Sequence, residues 1–119
     1  MLNLDTHILI DALAGKALRK EEKLLAADDW AISDIVLWEI AKLNQLGRIS
    51  LNLASPGFRV ILNTINIIPI SADIARTSCE LDFSADPADE LIAATSIVHR
   101  MPLLTRDKTI RSSRLVTLA

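Results

Sequence analysis

The chain is poor in aromatic rings: of its 119 residues two are Trp, two Phe and none Tyr. Proteins that read single-stranded RNA by stacking bases use exposed aromatic platforms. Only Trp30, Trp38, Phe58 and Phe83 exist here, and Trp30 reads as core, so the composition argues against that mode. Glycine is equally scarce. With Gly15, Gly47 and Gly57 alone, neither a GxGxxG turn nor a P-loop can be written, which removes the common nucleotide-binding modules. The single cysteine, Cys79, rules out a disulfide framework within the chain; it reads as a small core residue of a protein in a reducing cytoplasm. No apolar run approaches the ~20 residues of a membrane span. Asp5 breaks the N-terminal hydrophobic run and no basic segment precedes it, so no signal peptide is expected. A net charge of −2 argues against a non-specific nucleic-acid coat.

What is abundant is aliphatic. Hydrophobic residues make up 50% of the chain, mostly Leu, Ile, Ala and Val, a composition suited to helices packed on a small parallel sheet. One domain of this length buries roughly two-thirds of its unfolded surface. Short apolar runs alternate with helical patterns. Met1 to Asp5 reads as a strand, Thr6 to Ala14 as a helix stopped at Gly15, and Ala17 to Ala27 as a second helix with Leu18, Leu24 and Leu25 inward and Glu21 outward. Trp30 to Ile32 is the next strand. Ser33 or Asp34 caps a helix running to about Leu46 and closed by Gly47. Leu51 to Gly57 reads as loop, Phe58 to Thr64 as helix, and Ile67 to Ile70 as a strand that Pro69 places at a sheet edge or at its own end. Ser71 caps a helix from Ala72 to Leu81. Arg114 to Leu118 is a last strand. Strands joined through helices imply right-handed crossovers and a three-layer α/β/α sandwich on a short, mostly parallel sheet of about five strands.

The stretch from Asp86 to Asp107 is the most informative. Asp86-Pro87 opens a helix, Leu91, Ile92, Thr95 and Val98 recur at helical spacing, and Leu103-Leu104-Thr105 is a buried strand after Pro102. Asp107 then lies past the C-terminal end of a parallel strand, the edge where open α/β sheets bind ligands. Asp5 ends the first strand in the same way. Glu39 is embedded in the apolar run Ile35 to Ala41, and Asp89 falls in the first turn of the long helix. Taken singly, each acid has a plainer role: Asp5 and Asp107 can cap the following turns, Asp86 is a helix cap before it is a ligand, Glu39 can pair with Lys42, and Asp89 can complement the helix dipole. Together they place four acids at one edge. Carboxylates without His or Cys partners are hard-oxygen ligands for Mg²⁺ or Mn²⁺, and such a site suits water attack on a phosphodiester. From Arg100 onward five basic residues face one acid, a balance that suits an anionic substrate met through a metal ion. His7 and His99 read as surface or packing residues, so no side-chain base stands out. A receiver domain would want paired acids at the first strand and gives Glu39 no role; a haloacid-dehalogenase-like phosphatase wants an Asp where His7 stands.

These segments resemble the PIN-domain nucleases, and within them the VapC-type toxins of bacterial toxin–antitoxin pairs. The resemblance rests on LDTHILI at 4–10, SDIVLWEIAKLNQLGRI at 33–49, DPADELIAAT at 86–95 and PLLTRD at 102–107, in order along one PIN-like, Rossmann-like domain spanning 1–119. It implies a metal-dependent endoribonuclease in which Asp5, Glu39, Asp89 and Asp107 hold one or two Mg²⁺ or Mn²⁺ ions, with Asp86 a possible helper. It also implies supporting hydroxyls at Thr6, Ser33 and Thr105, a homodimer, and a small cognate antitoxin covering the acidic site. The sequence departs from many relatives at Glu90, which stands where they carry Arg. That departure belongs to the alternative implied by the same fold, a catalytically weak or inactive PIN domain serving as a binding and dimerisation module.

Overall fold

In the computed structural model, which describes residues 1–119, four short strands form one parallel sheet between helices, a three-layer α/β/α arrangement. The strands are β1 (Leu2–Leu4), β2 (Trp30–Ser33), β3 (Asn66–Ile68) and β4 (Leu103–Leu104), in the spatial order β3-β2-β1-β4. Every pairing is parallel, with Leu2 opposite Trp30, Asn3 opposite Leu103 and Ile32 opposite Ile67. The chain therefore grows outward from β1 on one side, then returns to its other side with β4. That reversal opens a crevice at the C-terminal ends of β1 and β4. All three residues of β1 are buried, as expected of a strand covered on both faces.

The expected fifth strand is reduced to one parallel bridge between Leu118 and Leu103. Two backbone bonds serve it, from Leu103 N to Thr117 O and from Ala119 N to Leu103 O, at 2.9 and 3.0 Å. The third strand is shorter than read: β3 ends at Ile68, leaving Pro69 and Ile70 outside the ladder, because Pro has no N–H to pair.

Seven helices complete the chain: α1 (Thr6–Leu13), α2 (Arg19–Ala27), α3 (Ile35–Gln45), α4 (Pro56–Leu62), α5 (Ala72–Ser78), α6 (Pro87–His99) and α7 (Lys108–Arg111). Gly15 and Gly47 follow α1 and α3 with φ near +70°, the left-handed conformation that ends a helix without a Cβ penalty. Arg100 ends α6 in the same left-handed region at φ 53°, here at the steric cost a Cβ brings. Helix α4 starts inside the segment read as loop. Ser55 caps it by accepting from Phe58 N, and Pro56 takes the first helical position, a start signal that lay within the presumed loop.

The core gathers Leu2, Leu4, Ile8, Leu9, Ile32, Val36, Ile40, Ile92, Leu103 and Ile110. Several side chains lie elsewhere than the pattern suggests. In α2 it is Glu21 and Leu25 that are buried, whereas Leu18 and Leu24 are exposed. Leu46 is exposed too. Cys79 lies on the surface at the end of α5, since that short helix buries only Ile74. Trp30 is half-buried, with its indole N–H donating to Leu25 O at 2.8 Å. On the polar side, Asn3 bridges β1 to α6, its amide donating to Ser96 Oγ at 2.8 Å and Ile92 O at 3.2 Å.

Candidate active site

At the crevice beyond β1 and β4 the structure draws in acids from separate parts of the chain. Asp5, Glu39, Asp86, Asp89 and Asp107 all line one pocket of about 440 Å³, together with Thr6 and His7. Asp5 ends β1 and is buried. Its Oδ1 accepts from Thr6 N at 2.8 Å, turning the chain into α1, and its Oδ2 accepts from Thr105 Oγ1 at 2.5 Å. The Thr105 hydroxyl in turn accepts from Asp107 N at 3.0 Å. One threonine thus ties the ends of β1 and β4 together. Asp107 Oδ1 caps α7 by accepting from Ile110 N. Glu39 projects from the middle of α3 and accepts a short hydrogen bond from Thr6 Oγ1. Capping and site-building are not rival roles here: for Asp5 and Asp107 the bond that turns the backbone also fixes where the carboxylate stands.

The first turn of α6 brings two more acids. Asp86 precedes Pro87 but makes no side-chain cap bond, so its carboxylate, read from sequence first as a cap, is exposed at the pocket instead. Asp89 sits one turn on, half-buried. Burial pushes its carboxyl up to about 6, and Asp5, Glu39, Asp107 and Asp86 add to the shift by repulsion. Glu39 is likewise raised, chiefly by burial, with Asp5 and Asp86 adding to it and the Thr6 hydroxyl and His7 opposing it. The pocket therefore holds more negative charge than its own side chains neutralise. Its acids offer only oxygen donors, the set that hard dications such as Mg²⁺ and Mn²⁺ take. The acids ring the pocket without closing on one point: no group of three His, Cys, Asp or Glu side chains forms a finished ligand cage.

The other expected residues fall into place unevenly. Ser33 is fully buried and its Oγ accepts from Ile35 N at 3.3 Å; it does not line the pocket. Glu90 points away, its Oε2 accepting from Ala85 N at 3.4 Å, and it is not among the charges that raise Asp89. The C-terminal basic residues are mostly turned elsewhere, and of the five only Arg106 reaches the pocket.

Arg106 belongs to a cluster that sequence reasoning missed. Its Nε donates to Glu21 Oε2 at 2.7 Å, its Nη2 to Glu21 Oε1 at 2.5 Å, and its Nη1 to Asp11 Oδ2 at 2.6 Å. Glu21 is only 2% exposed, and the guanidinium beside it holds its carboxyl below the usual range. The available signal was the i, i+4 pair Glu21 and Leu25, an alternative inward face for α2 that hydropathy alone ranks lower. Beside the acidic pocket runs a larger groove of about 890 Å³ between α1, α3 and α4, of mixed polar and apolar lining, which shares His7 and Asp11 with it.

Fold and pocket together define a class: a parallel α/β domain with an acid-lined crevice at its strand ends. The chain belongs to the PIN domain family, whose model matches residues 3–113. It is similar to the protein named Ribonuclease VapC22 from Mycobacterium tuberculosis (strain ATCC 25618 / H37Rv), at 34% identity over 91 residues, 74% of this chain and 70% of that protein. Among solved structures it superposes on a toxin–antitoxin complex from Klebsiella pneumoniae with a TM-score of 0.75 and 31% identity, covering 98% of this chain and 96% of that one. VapBC2 from Rickettsia felis, bound to a DNA fragment from its promoter, shares the fold at TM-score 0.73 and 22% identity, covering 100% and 98%.

Proposed function

We propose that this chain acts, as a single domain, as a VapC-like ribonuclease toxin that hydrolyses RNA phosphodiester bonds with Mg²⁺ or Mn²⁺. The observation that carries the reading is the pocket itself: of the six carboxylates that line one cavity, five come from the end of β1, from α3, from the start of α6 and from the β4–α7 turn. Two of them have their carboxyls raised there. A fold that concentrates like charge loses stability through repulsion. A dication would remove that cost, and when bound it supplies Lewis acidity for an attacking water and offsets charge on the phosphate oxygens.

Asp5, Glu39, Asp89 and Asp107 are the residues that would hold the ion, with Asp86 at the rim. Thr105 holds Asp5 and the backbone N–H of Asp107 at one hydroxyl, and Thr6 holds Glu39. The protein's part is to fix these oxygens before substrate arrives, so that little reorganisation is left for the reaction. The relative named as a ribonuclease supports RNA as substrate. The toxin–antitoxin complex at 31% identity supports a cognate antitoxin as partner, and the groove of mixed lining beside the pocket offers a protein segment a seat from which to cover the acids. A homodimer in the cytoplasm completes the reading; no helix is long and apolar enough to cross a membrane. The presence of all the acids at one cavity favours catalysis over a binding module, and Glu90, facing Ala85, does not weigh against it.

The test is cleavage of RNA by purified protein with Mg²⁺ or Mn²⁺, against EDTA and against Asp5→Asn. Cleavage that survives both treatments would overturn the metal-site reading. Calorimetric titration of Mn²⁺ into wild type and Asp89→Asn gives a readout independent of turnover; equal affinity would remove Asp89 from the ligand set.

A further inference from the structure

The acidic pocket has an asymmetric rim. A site that takes a polyanion would be expected to offer cations, yet only His7 and Arg106 do so among its lining residues. Arg106 sits between Thr105 and Asp107, and its side chain is 38% exposed. Three of its five N–H groups are engaged, but with partners of opposite kinds. Glu21 is buried and grips two of them, while its Oε1 also accepts from Leu18 N at 2.9 Å. Asp11, by contrast, is a pocket residue with a side chain 27% exposed, and it takes one N–H only. A buried, doubly bonded partner fixes the plane of the guanidinium; an exposed single bond at the rim is the contact that water or another anion can replace.

We propose that Arg106 is the substrate-phosphate contact of this site, aimed by Glu21 as a positioning residue and masked by Asp11 until a phosphate displaces it. This rests on the ribonuclease reading above and adds the group that meets the RNA backbone. Arg suits the role because its planar fork matches two phosphate oxygens, and the two N–H groups not yet bonded, together with the one released by Asp11, supply that fork. Asp11 also adds negative charge at the mouth, so the same residue weakens capture twice.

The experiment measures kcat and KM for one single-stranded RNA over a range of salt concentrations. Wild type and Asp11→Asn are compared with the paired variant Glu21→Gln with Arg106→Gln, which keeps a neutral hydrogen-bonded pair and avoids stranding a buried carboxylate. Asp11→Asn is expected to lower KM about threefold or more by freeing a charge-assisted contact. The paired variant is expected to raise KM about tenfold and to flatten the dependence of log KM on log salt by about 0.7, the loss of one phosphate contact on a single strand. A purely structural Arg106 would lower the melting temperature and leave that slope alone. An unchanged slope in the paired variant, or an unchanged or higher KM in Asp11→Asn, overturns the proposal while wild-type cleavage keeps the ribonuclease reading. Wild type that cleaves no RNA overturns both.

Discussion

Two groups of carboxylates, one held by Arg106 and one lining the acidic pocket, meet opposite fates. Glu21 is almost wholly buried, yet its carboxyl is held below its usual range because Arg106 is bonded to it. Asp89 is only half-buried, yet burial pushes its carboxyl up to about 6, and its neighbours Asp5, Glu39, Asp107 and Asp86 add to that shift where a cation would oppose it. Burial disfavours both charges; at Glu21 the partner outweighs it, and at Asp89 the neighbours add to it. The first group is electrostatically complete within the chain and holds the wall between α2 and the β4–α7 turn. The second is complete only when something positive is added. A carboxylate cluster left without its own cation is a costly arrangement to retain for stability alone, and that cost is what makes it informative about function.

The comparison breaks most sharply at Asp5, which belongs to the second group and is bonded to Thr6 and Thr105. Asp5→Asn should reduce RNA cleavage by about a hundredfold or more, the scale seen when an electrostatic contributor to a reaction is removed. Circular dichroism should show the fold retained. Next comes the first group. Glu21→Ala leaves Arg106 with its Asp11 bond only and should destabilise by about 2 kcal/mol, discounted for the exposure of Arg106. A thermal melt should register a fall of about 8 °C.

Asp89→Asn should move stability the other way. Metal-free protein is expected to gain about 1 kcal/mol, with a rise of about 4 °C in its melt, while binding Mn²⁺ more weakly. The pH dependence separates the two groups further. Asp89 has a folded value above its ordinary 3.8, so its charge costs stability above about pH 6, and that cost is relieved as pH falls toward 4. Glu21 has a folded value below its ordinary 4.5, so it contributes stability above that pH, which is lost as pH falls below it. Metal-free melts should therefore peak between about pH 4.5 and 6. Asp89→Asn should flatten the upper limb alone. The smallest effect is expected at Glu90, which belongs to neither group: Glu90→Gln keeps the bond from Ala85 N and should change stability by less than about 0.5 kcal/mol and cleavage by less than about twofold.

Local chemistry makes much of this legible in the sequence. Helix stops at Gly15 and Gly47, the Ser71 cap, the Asp86-Pro87 helix start and the apolar strands are decided by a few neighbouring residues, and their order along the chain implies a parallel sheet whose strand ends carry Asp5 and Asp107. The convergence of Glu39 and Asp89 on that edge was also readable, because an acid within the apolar run of α3 needs a reason to be there. What local chemistry could not decide was which of two adequate faces a helix buries. Helix α2 offers Leu24 beside Leu25 and Glu21, and hydropathy favours the leucines. The structure exposes Leu24 and buries Glu21, because Arg106, 85 residues away along the chain, arrives with the bonds that make a buried carboxylate acceptable.

The acids themselves follow the same division. That they gather at one end of the sheet follows from the sequence, since strand ends and helix starts fix it residue by residue. Whether each stands charged among cations or crowded among its own kind depends on side chains brought together from distant segments. Only tertiary packing sets those distances, and with them the local dielectric and the sign of each shift.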